Sequence, residues 1–272
     1  MRKLRVMSSL EYTPAAGLRA YIDAYWVRKA DSPEPAPGRR VYANGCADLI
    51  LNSGDIVAYF NPMARADAVI PLHPQRLYLG GTMTAYGVVT AEPGCSLTGV
   101  RFRPGGFYAL YGVSMEPAVD NLVEFADPML STLLSMEVGL AERLDTFFGA
   151  KTPLARSGFS AILDTVYASG GQLSVDALSG AGHVSKRTME RIFKENVGIP
   201  PKEFIRIVRF QEVLKRLRQA GSVNEESLLR VAFDLGYYDH AHLTNEFKKY
   251  AGILPSELSH FYKTGITGGQ YF

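Results

Sequence analysis

A stretch of 28 residues in the second half of the chain occurs twice, and this internal repeat constrains the fold more than any other feature. Segment 177–204 returns as segment 231–258, a shift of 54 residues. Each copy predicts a short helix, a turn at a glycine, and a second helix that ends at Gly and Pro. Two such units in tandem indicate a helix-turn-helix protein that binds double-stranded DNA. The seven identical pairs are Gly182/Gly236, Phe193/Phe247, Lys194/Lys248, Gly198/Gly252, Ile199/Ile253, Pro201/Pro255 and Glu203/Glu257.

The second helix of each copy, predicted over 185–196 and 239–250, has one apolar and one polar face. Met189, Ile192 and Phe193 form the apolar stripe of the first copy. A solvated surface helix would show the same pattern, but the fixed spacing of the repeat favours reading helices whose polar faces meet base edges in the major groove. The DNA-contacting residues predicted from the polar faces and the N-caps are Ser185, Lys186, Arg187, Glu190, Arg191, Asp239, His240, His242, Thr244 and Asn245.

The segment between the copies predicts one long helix over about 201–219. Pro200 and Pro201 stand at its start and Gly221 follows its end, which is the usual arrangement at the two ends of a helix. At about 1.5 Å per residue this helix is roughly 28 Å long. Successive major grooves repeat every ~34 Å along one side of a duplex. A stiff helix of this length is therefore suited to holding two reading helices in adjacent major grooves.

These motifs resemble the DNA-binding domain of the AraC/XylS family of bacterial transcriptional regulators, over about residues 159–262. The resemblance implies a helical domain with two helix-turn-helix motifs, about 173–198 and about 225–252. It also implies a regulator, expected to be an activator, that works with RNA polymerase. The base-contacting residues that it implies are Arg187, Glu190 and Arg191 in the first motif and His240, His242 and Asn245 in the second.

Charge divides the chain in the same way. From Lys151 onward there are 16 Lys and Arg against 12 Asp and Glu, a net charge of +4. The remainder has 13 against 15, a net charge of −2. A basic half that follows a mildly acidic half is typical of a DNA reader with a separate sensor.

The first 150 residues predict a different kind of domain. Short apolar runs separated by turn residues indicate a small sheet, sandwich or barrel. Two helices are predicted, over Pro14–Tyr25 and over Met129–Phe148. We therefore expect an α+β protein of two domains, 1–150 and 151–272, joined near Gly149–Ser157. The predicted strands cover Arg39–Tyr42, Leu49–Leu51, Ile56–Tyr59, Leu77–Leu79, Gly87–Thr90 and Leu97–Phe102.

Three motifs in this half are similar to a domain of unknown function that precedes AraC-type DNA-binding domains. They are YIDAYWVRK at 21–29, NGCADLILN at 44–52 and RFRPGGFYALYGV at 101–113. The resemblance covers roughly residues 10–149 and implies a cupin-like, jelly-roll domain. Such a domain would sense a small-molecule effector or pair two subunits as a homodimer.

A ligand site is predicted around the last of these motifs. Arg101 and Arg103 are expected on one face of a strand, where two guanidinium groups can clamp an anion. The alternative is that they pair with Asp48 or Glu116 and brace the sheet. Aromatic side chains can line a pocket or simply fill the core. The candidate ligand-binding residues are Trp26, Tyr42, Asp48, Arg101 and Arg103.

The sequence disfavours metal and catalytic chemistry. The first 150 residues contain one histidine, His73, whereas a metal-binding cupin needs several. Cys46 and Cys95 have no CxxC spacing and are predicted to be buried thiols, with a cysteine-based sensor as the alternative. No cofactor is expected, nor is a membrane segment or signal peptide, so we expect a cytoplasmic protein that is not an enzyme.

The function predicted from the sequence is sequence-specific DNA binding in transcriptional regulation. Two alternatives stay open. One is a cupin-like enzyme or small-molecule binder with an incidental basic helical domain. The other is an interaction protein that has kept the fold and lost base reading.

Overall fold

All ten described strands lie in the N-terminal half of the chain, whereas the C-terminal half is helical. The computed structural model describes residues 8–30, 38–65, 67–136, 138–154, 158–220 and 225–258. The strands are β1 (Ser8–Tyr12), β2 (Ile22–Lys29), β3 (Arg39–Val41), β4 (Ala47–Asn52), β5 (Ala58–Pro62), β6 (Ile70–Leu72), β7 (Leu77–Gly80), β8 (Gly87–Ala91), β9 (Ser96–Phe102) and β10 (Leu122–Glu124). The α-helices are α1 (Gly106–Tyr111), α2 (Pro128–Ser135), α3 (Leu140–Gly149), α4 (Phe159–Ala168), α5 (Val175–Ala181), α6 (Lys186–Val197), α7 (Pro201–Ala220), α8 (Glu225–Asp234) and α9 (His240–Ala251).

Two antiparallel sheets form the N-terminal domain. The larger has the order β1-β2-β9-β4-β7-β10 and the smaller β3-β8-β5-β6. Because side chains alternate along a strand, β4 contributes buried side chains to both faces of its sheet. Leu49 and Leu51 pack with helices α1, α2 and α3, whereas Ile50 packs between the sheets. The expected mostly-β domain is confirmed, and all six predicted strands are present with shifts of up to three residues at their ends.

The helix predicted over Pro14–Tyr25 is wrong. Only Ala16–Leu18 makes a single 3-10 turn, and β2 begins at Ile22. Both faces of β2 are buried, with Tyr25 toward the helices and Trp26 toward the smaller sheet. A strand buried on both faces lacks the polar–apolar alternation of an ordinary amphipathic strand, so its apolar residues also fit a helical spacing.

The helix predicted over Met129–Phe148 is interrupted. Helix α2 ends at Ser135 and α3 begins at Leu140, because Met136 is extended and Gly139 has a left-handed φ of 66°. The guanidinium group of Arg143 donates hydrogen bonds to the carbonyls of Met136 and Val138 and so satisfies backbone acceptors at the break.

The C-terminal domain has the predicted helical architecture. Helices α5 and α6 form the first helix-turn-helix unit, and α8 and α9 form the second. Met189, Phe193, Leu243 and Phe247 are buried, which confirms the apolar stripes of the reading helices. Helix α7 has 20 residues and is thus about 30 Å long. Within the described ranges, no helix is both long and apolar enough to cross a membrane.

The two domains pack tightly against each other. Tyr42 and Ala43 belong to the core of the helical domain, and Tyr42 meets the ring of Phe210 edge-on at 6.5 Å. Hydrogen bonds between described residues join the N-terminal domain to α6, α7 and α9: Ala43 N to Tyr250 O (3.2 Å), Gln211 Nε2 to Ala43 O (2.5 Å), Tyr86 N to Lys249 O (3.1 Å) and Met115 N to Glu195 O (3.2 Å). The N-terminal domain therefore touches the C-terminal ends of both α6 and α9.

The glycine that ends α6 provides a test of this packing. Gly198 has a φ of +83°, and a Cβ there would lie 2.5 Å from Val119 and 2.8 Å from the Met115 carbonyl oxygen. Gly158 is a matched control, since its φ is +61° and its Cβ would meet no described atom within 4 Å. We expect Gly158→Ala to lower the free energy of unfolding by about 1–2 kcal/mol through backbone strain alone. Gly198→Ala should lose at least about 1 kcal/mol more, because the interface is overpacked.

Urea unfolding of both variants measures the difference. Equal losses would mean that the contact between α6 and the N-terminal domain is loose.

Candidate DNA-binding surface and effector cavity

The polar face of α6 is exposed as predicted, but its cations differ in their partners. Arg187 and Glu190 are exposed, and neither makes an ion pair with any residue that the structure describes. Lys186 pairs with Asp176 of α5. Arg191 is bonded to Glu195 one turn later, at 3.0 Å. Because that pair is exposed, it costs little to break when a base or phosphate approaches.

The polar face of α9 carries the second predicted group. His240 and Asn245 are exposed, Thr244 is partly buried, and 45% of the His242 side chain is exposed. His242 Nε2 lies 3.9 Å from the carboxylate of Glu246, which is itself buried and accepts a hydrogen bond from the Tyr237 hydroxyl at 2.8 Å. Glu246 thus orients neighbouring side chains from inside the domain, while the exposed residues remain available for contact.

Ser185 and Asp239 act as N-caps, as predicted. The Ser185 hydroxyl accepts the backbone N–H of Thr188 at 3.2 Å, and the Asp239 carboxylate accepts that of His242 at 2.7 Å. Each cap fixes the start of its reading helix and satisfies one N–H group there. Direct contact of either cap with DNA stays a prediction.

A basic groove between the start of α6 and helix α7 was missed by the sequence analysis. Lys186, Lys202, Arg206 and Arg209 line it. Arg206 and Arg209 extend it toward α9, because their guanidinium groups lie 4.0 and 3.7 Å from Glu246. The basic residues of the connecting helix are visible in the sequence, but nothing in the sequence predicts that they lie beside α6.

Two exposed aromatic side chains in the second helix-turn-helix unit were also missed. Tyr238 is 93% exposed directly before the N-cap of α9, and Phe233 of α8 is 85% exposed. Single exposed apolar side chains are common on protein surfaces, and only a contiguous apolar patch would mark an interaction site.

The arginine pair in the N-terminal domain does not form the predicted clamp. Arg101 is buried on β9, whereas Arg103 lies beyond the end of that strand and is 53% exposed. Both reach Asp23, at 3.3 and 3.5 Å, and Arg101 also approaches Glu11 and Asp48 at 3.5 and 3.9 Å. The geometry therefore supports the alternative interpretation for Arg101, which pairs with Asp48 and braces the sheet. Glu116, the other proposed partner, pairs with Lys194 of α6 at 3.9 Å.

A cavity opens between the two sheets. It has about 550 Å³ of empty space, including its open mouth. Asp48 lines it, whereas Trp26, Tyr42, Arg101 and Arg103 do not. Its walls are mostly apolar and include Val41, Ile50, Phe60, Leu72, Met83 and Leu97.

Asp48 is held in a defined orientation at this cavity. The indole N–H of Trp26 donates to Asp48 Oδ1 at 2.9 Å. Burial raises the pKa of the Asp48 carboxyl to about 6, against the opposing effects of Arg101 and of the Trp26 hydrogen bond. Burial likewise raises the pKa of the Cys46 thiol far above its usual value, so this group stays neutral. Cys46 is partly buried and Cys95 buried, and neither forms a disulfide.

Three segments connect this cavity to the helical domain. Segment 42–46 contributes Asn44 and Cys46 to the cavity wall and hydrogen-bonds to α7 and α9 through Ala43. Segment 81–86 contributes Gly81 and Met83 and reaches α9 through Tyr86.

The third segment, 115–121, joins the cavity to α6. It contributes Asn121 to the wall and reaches α6 through Met115. Asp120 ties it to segment 81–86 by accepting both the backbone N–H and the hydroxyl of Thr84, at 2.7 and 2.6 Å. Every segment thus has at least one residue at the cavity and another against the helical domain.

The described residues form no candidate metal site. No group of three or more His, Cys, Asp or Glu among them is placed to hold a metal ion.

Comparison with known sequences identifies both parts of the chain. Residues 178–260 match the model of a helix-turn-helix domain, and residues 10–124 match that of a domain of unknown function (DUF6597). An uncharacterized HTH-type transcriptional regulator of Haemophilus influenzae is 30% identical over 83 residues. That match covers 30% of this chain and 26% of the relative, so the chain spans about a quarter of the length of the curated relative that it matches.

Solved structures show more distant likenesses. ToxT from Vibrio cholerae is 11% identical, with 97% of this chain and 98% of that chain covered and a TM-score of 0.49. The C-terminal domain of the two-component response regulator yesN from Fusobacterium nucleatum is 21% identical, with 38% and 97% covered and a TM-score of 0.32. The resemblance predicted from the sequence motifs is confirmed by the family matches: residues 178–260 form an AraC-type helix-turn-helix domain, and residues 10–124 form a DUF6597 domain.

Proposed function

We propose that this protein is a transcriptional regulator that binds specific DNA sequences by placing α6 and α9 in adjacent major grooves. The observation that carries the proposal is the pair of capped, exposed reading helices joined by the ~30 Å helix α7. The family match over 178–260 supports it. Contact with RNA polymerase, homodimer formation and a cytoplasmic location remain predictions.

The basic groove supports a specific path for the DNA backbone. Lys202 and Arg206 lie on the first two turns of α7 and line the groove beside the start of α6, and Arg206 also reaches Glu246 in the centre of α9. A phosphate chain that passes between two adjacent major grooves meets the protein in this position. Lys and Arg bind phosphates without reading sequence, and so they set the register of the two reading helices on the duplex.

An enzyme or a simple small-molecule binder is the alternative. Such a protein would not need two capped, exposed helices at matched positions of a repeat, and this chain has both. The cavity between the sheets is instead proposed to hold an effector that modulates DNA binding. Segments 42–46, 81–86 and 115–121 give it a direct route to the ends of both reading helices.

Selection of bound sequences from a random duplex library tests the proposal with the purified full chain. The expected result is one motif with two half-sites about one helical turn apart. Binding without any sequence preference would contradict it.

The reading faces are tested by four alanine variants against a panel of single-base changes at fixed salt. Arg187→Ala and Arg191→Ala should relax preference in one half-site, and His240→Ala and Asn245→Ala in the other. Each lost base contact should cost ~1–3 kcal/mol of discrimination. Uniform weakening on all sequences would place the reading faces elsewhere.

The proposed phosphate path predicts a change in salt dependence. Lys202→Gln should weaken binding to all sequences alike and lower the slope of log affinity against log salt by about one. Lys215→Gln is the matched control, since Lys215 is a 63% exposed lysine of the same helix that pairs with Glu212 and lies outside the groove. Equal slopes for the two variants would remove the groove from the interface.

A further inference from the structure

The cavity between the sheets has one charged group in its wall. Among the described residues that line it, only Asp48 carries a side chain that is ionised near neutral pH. Asn44 and Asn121 add polar atoms, and the rest of the wall is mostly apolar. A ligand that fills this space meets an apolar chamber with a carboxylate at one point.

Two nearby arginines share this face of the larger sheet, but carboxylates bind them and they do not line the chamber. Arg28 is buried and bonds to Glu11 at 2.7 Å, and Arg101 is buried among Glu11, Asp23 and Asp48. Neither guanidinium group lines the cavity. The Nε atom of Arg101 makes no hydrogen bond, and its contact with Asp48 is an ion pair at 3.9 Å. Among the described residues that line the cavity, none is a cation, so an anionic ligand there would meet the Asp48 carboxylate.

The carboxylate also retains capacity to accept a hydrogen bond. Trp26 bonds to Oδ1, and among the described residues no side-chain donor bonds to Oδ2. Part of the Asp48 side chain, 13%, stays exposed although it sits in a largely buried setting. A carboxylate can accept several hydrogen bonds, so a ligand donor can be added without breaking the Trp26 contact.

We propose that this cavity binds a small apolar amine, with its ammonium group on Asp48 and its hydrocarbon part between the sheets. The inference deepens the proposed function and rests on it, since it names the chemical class of the effector. Charge-assisted hydrogen bonds are stronger than neutral ones, and the apolar walls contribute by removing hydrocarbon from water.

Trp26 is the only tryptophan of the chain, and its indole N–H donates to Asp48, so its emission reports on changes at that carboxylate. n-Hexylamine, n-hexanol and n-hexanoate are titrated separately into the purified full-length protein, and the fluorescence of Trp26 is followed. Hexylamine should bind about tenfold more tightly than hexanol, because its donor is charged, and hexanoate should bind most weakly. Tighter binding of hexanoate, or no change in Trp26 emission with hexylamine, would overturn the inference.

Asp48→Asn removes the negative charge and keeps the shape of the site, because the amide oxygen of Asn still accepts the hydrogen bond from Trp26. Its affinity for hexylamine should fall about tenfold to the level of hexanol, which itself should bind unchanged. Asp23→Asn is the matched control, since Asp23 pairs with Arg101 and Arg103 but does not line the cavity, and it should retain the preference for the amine. Loss of the preference in both variants would mean that the ion cluster as a whole acts, rather than Asp48.

Circular dichroism and the melting temperature establish that each variant is folded. The ranking of the three probes on the unchanged protein tests the inference even if a variant does not fold. DNA binding is measured in parallel on the selected sequence. Intact site recognition without any binding of the amine overturns the ligand class alone, whereas failure to select a sequence overturns the proposed function.

Discussion

The contact between the N-terminal domain and the C-terminal ends of the two reading helices is the constraint on which the rest of this structure depends. Met115 bonds to the end of α6, and Ala43 and Tyr86 bond to the end of α9. A helix held at one end by its N-cap and at the other by a neighbouring domain has a fixed axis. The distance and angle between the two reading helices are therefore set by α7 together with the N-terminal domain.

This arrangement would let the proposed effector act on the reading helices without any large movement. The segments that line it are the same segments that hold the helices, so a ligand that shifts a wall residue also shifts a contact with α6 or α9. Met83 illustrates the connection, because it packs against the core between the sheets and also against the core of the helical domain. Packed interiors transmit such shifts because they contain little free space.

Local features of the sequence predicted the reading units well. The apolar stripe, the N-caps Ser185 and Asp239 and the end of each helix at Gly198 or Gly252 depend on residues within one or two turns, and all were confirmed. Six of the ten described strands of the N-terminal domain were also located, because turn residues separate them, whereas the short strands β1, β6 and β10 were not predicted. The prediction failed for β2, where burial on both faces removed the expected alternation, and at Gly139, whose left-handed conformation divides one predicted helix into two.

The candidate cavity was predicted less completely, since its parts come from distant places in the chain. Asp48 was identified, also as a possible partner of Arg101, but the partners Glu11 and Asp23 were not, because they lie 90 and 78 positions away from Arg101. The three segments that join the cavity to the reading helices have no local signature at all. Their roles depend on which surfaces the two domains bring together, and a single sequence does not encode that pairing in any short motif.

The most direct test of the account is affinity as a function of the spacing between the two half-sites. Once the bound sequence has been selected, duplexes with one to five base pairs inserted or removed between its halves are compared for binding to the full-length protein. A rigid pair of helices predicts one favoured spacing, with affinity falling toward the non-specific level once the halves are displaced by two base pairs or more, because the second helix then faces the wrong side of the duplex. Affinity that stays nearly constant across the series would show that α6 and α9 move independently, and would contradict the central role given to the domain contact.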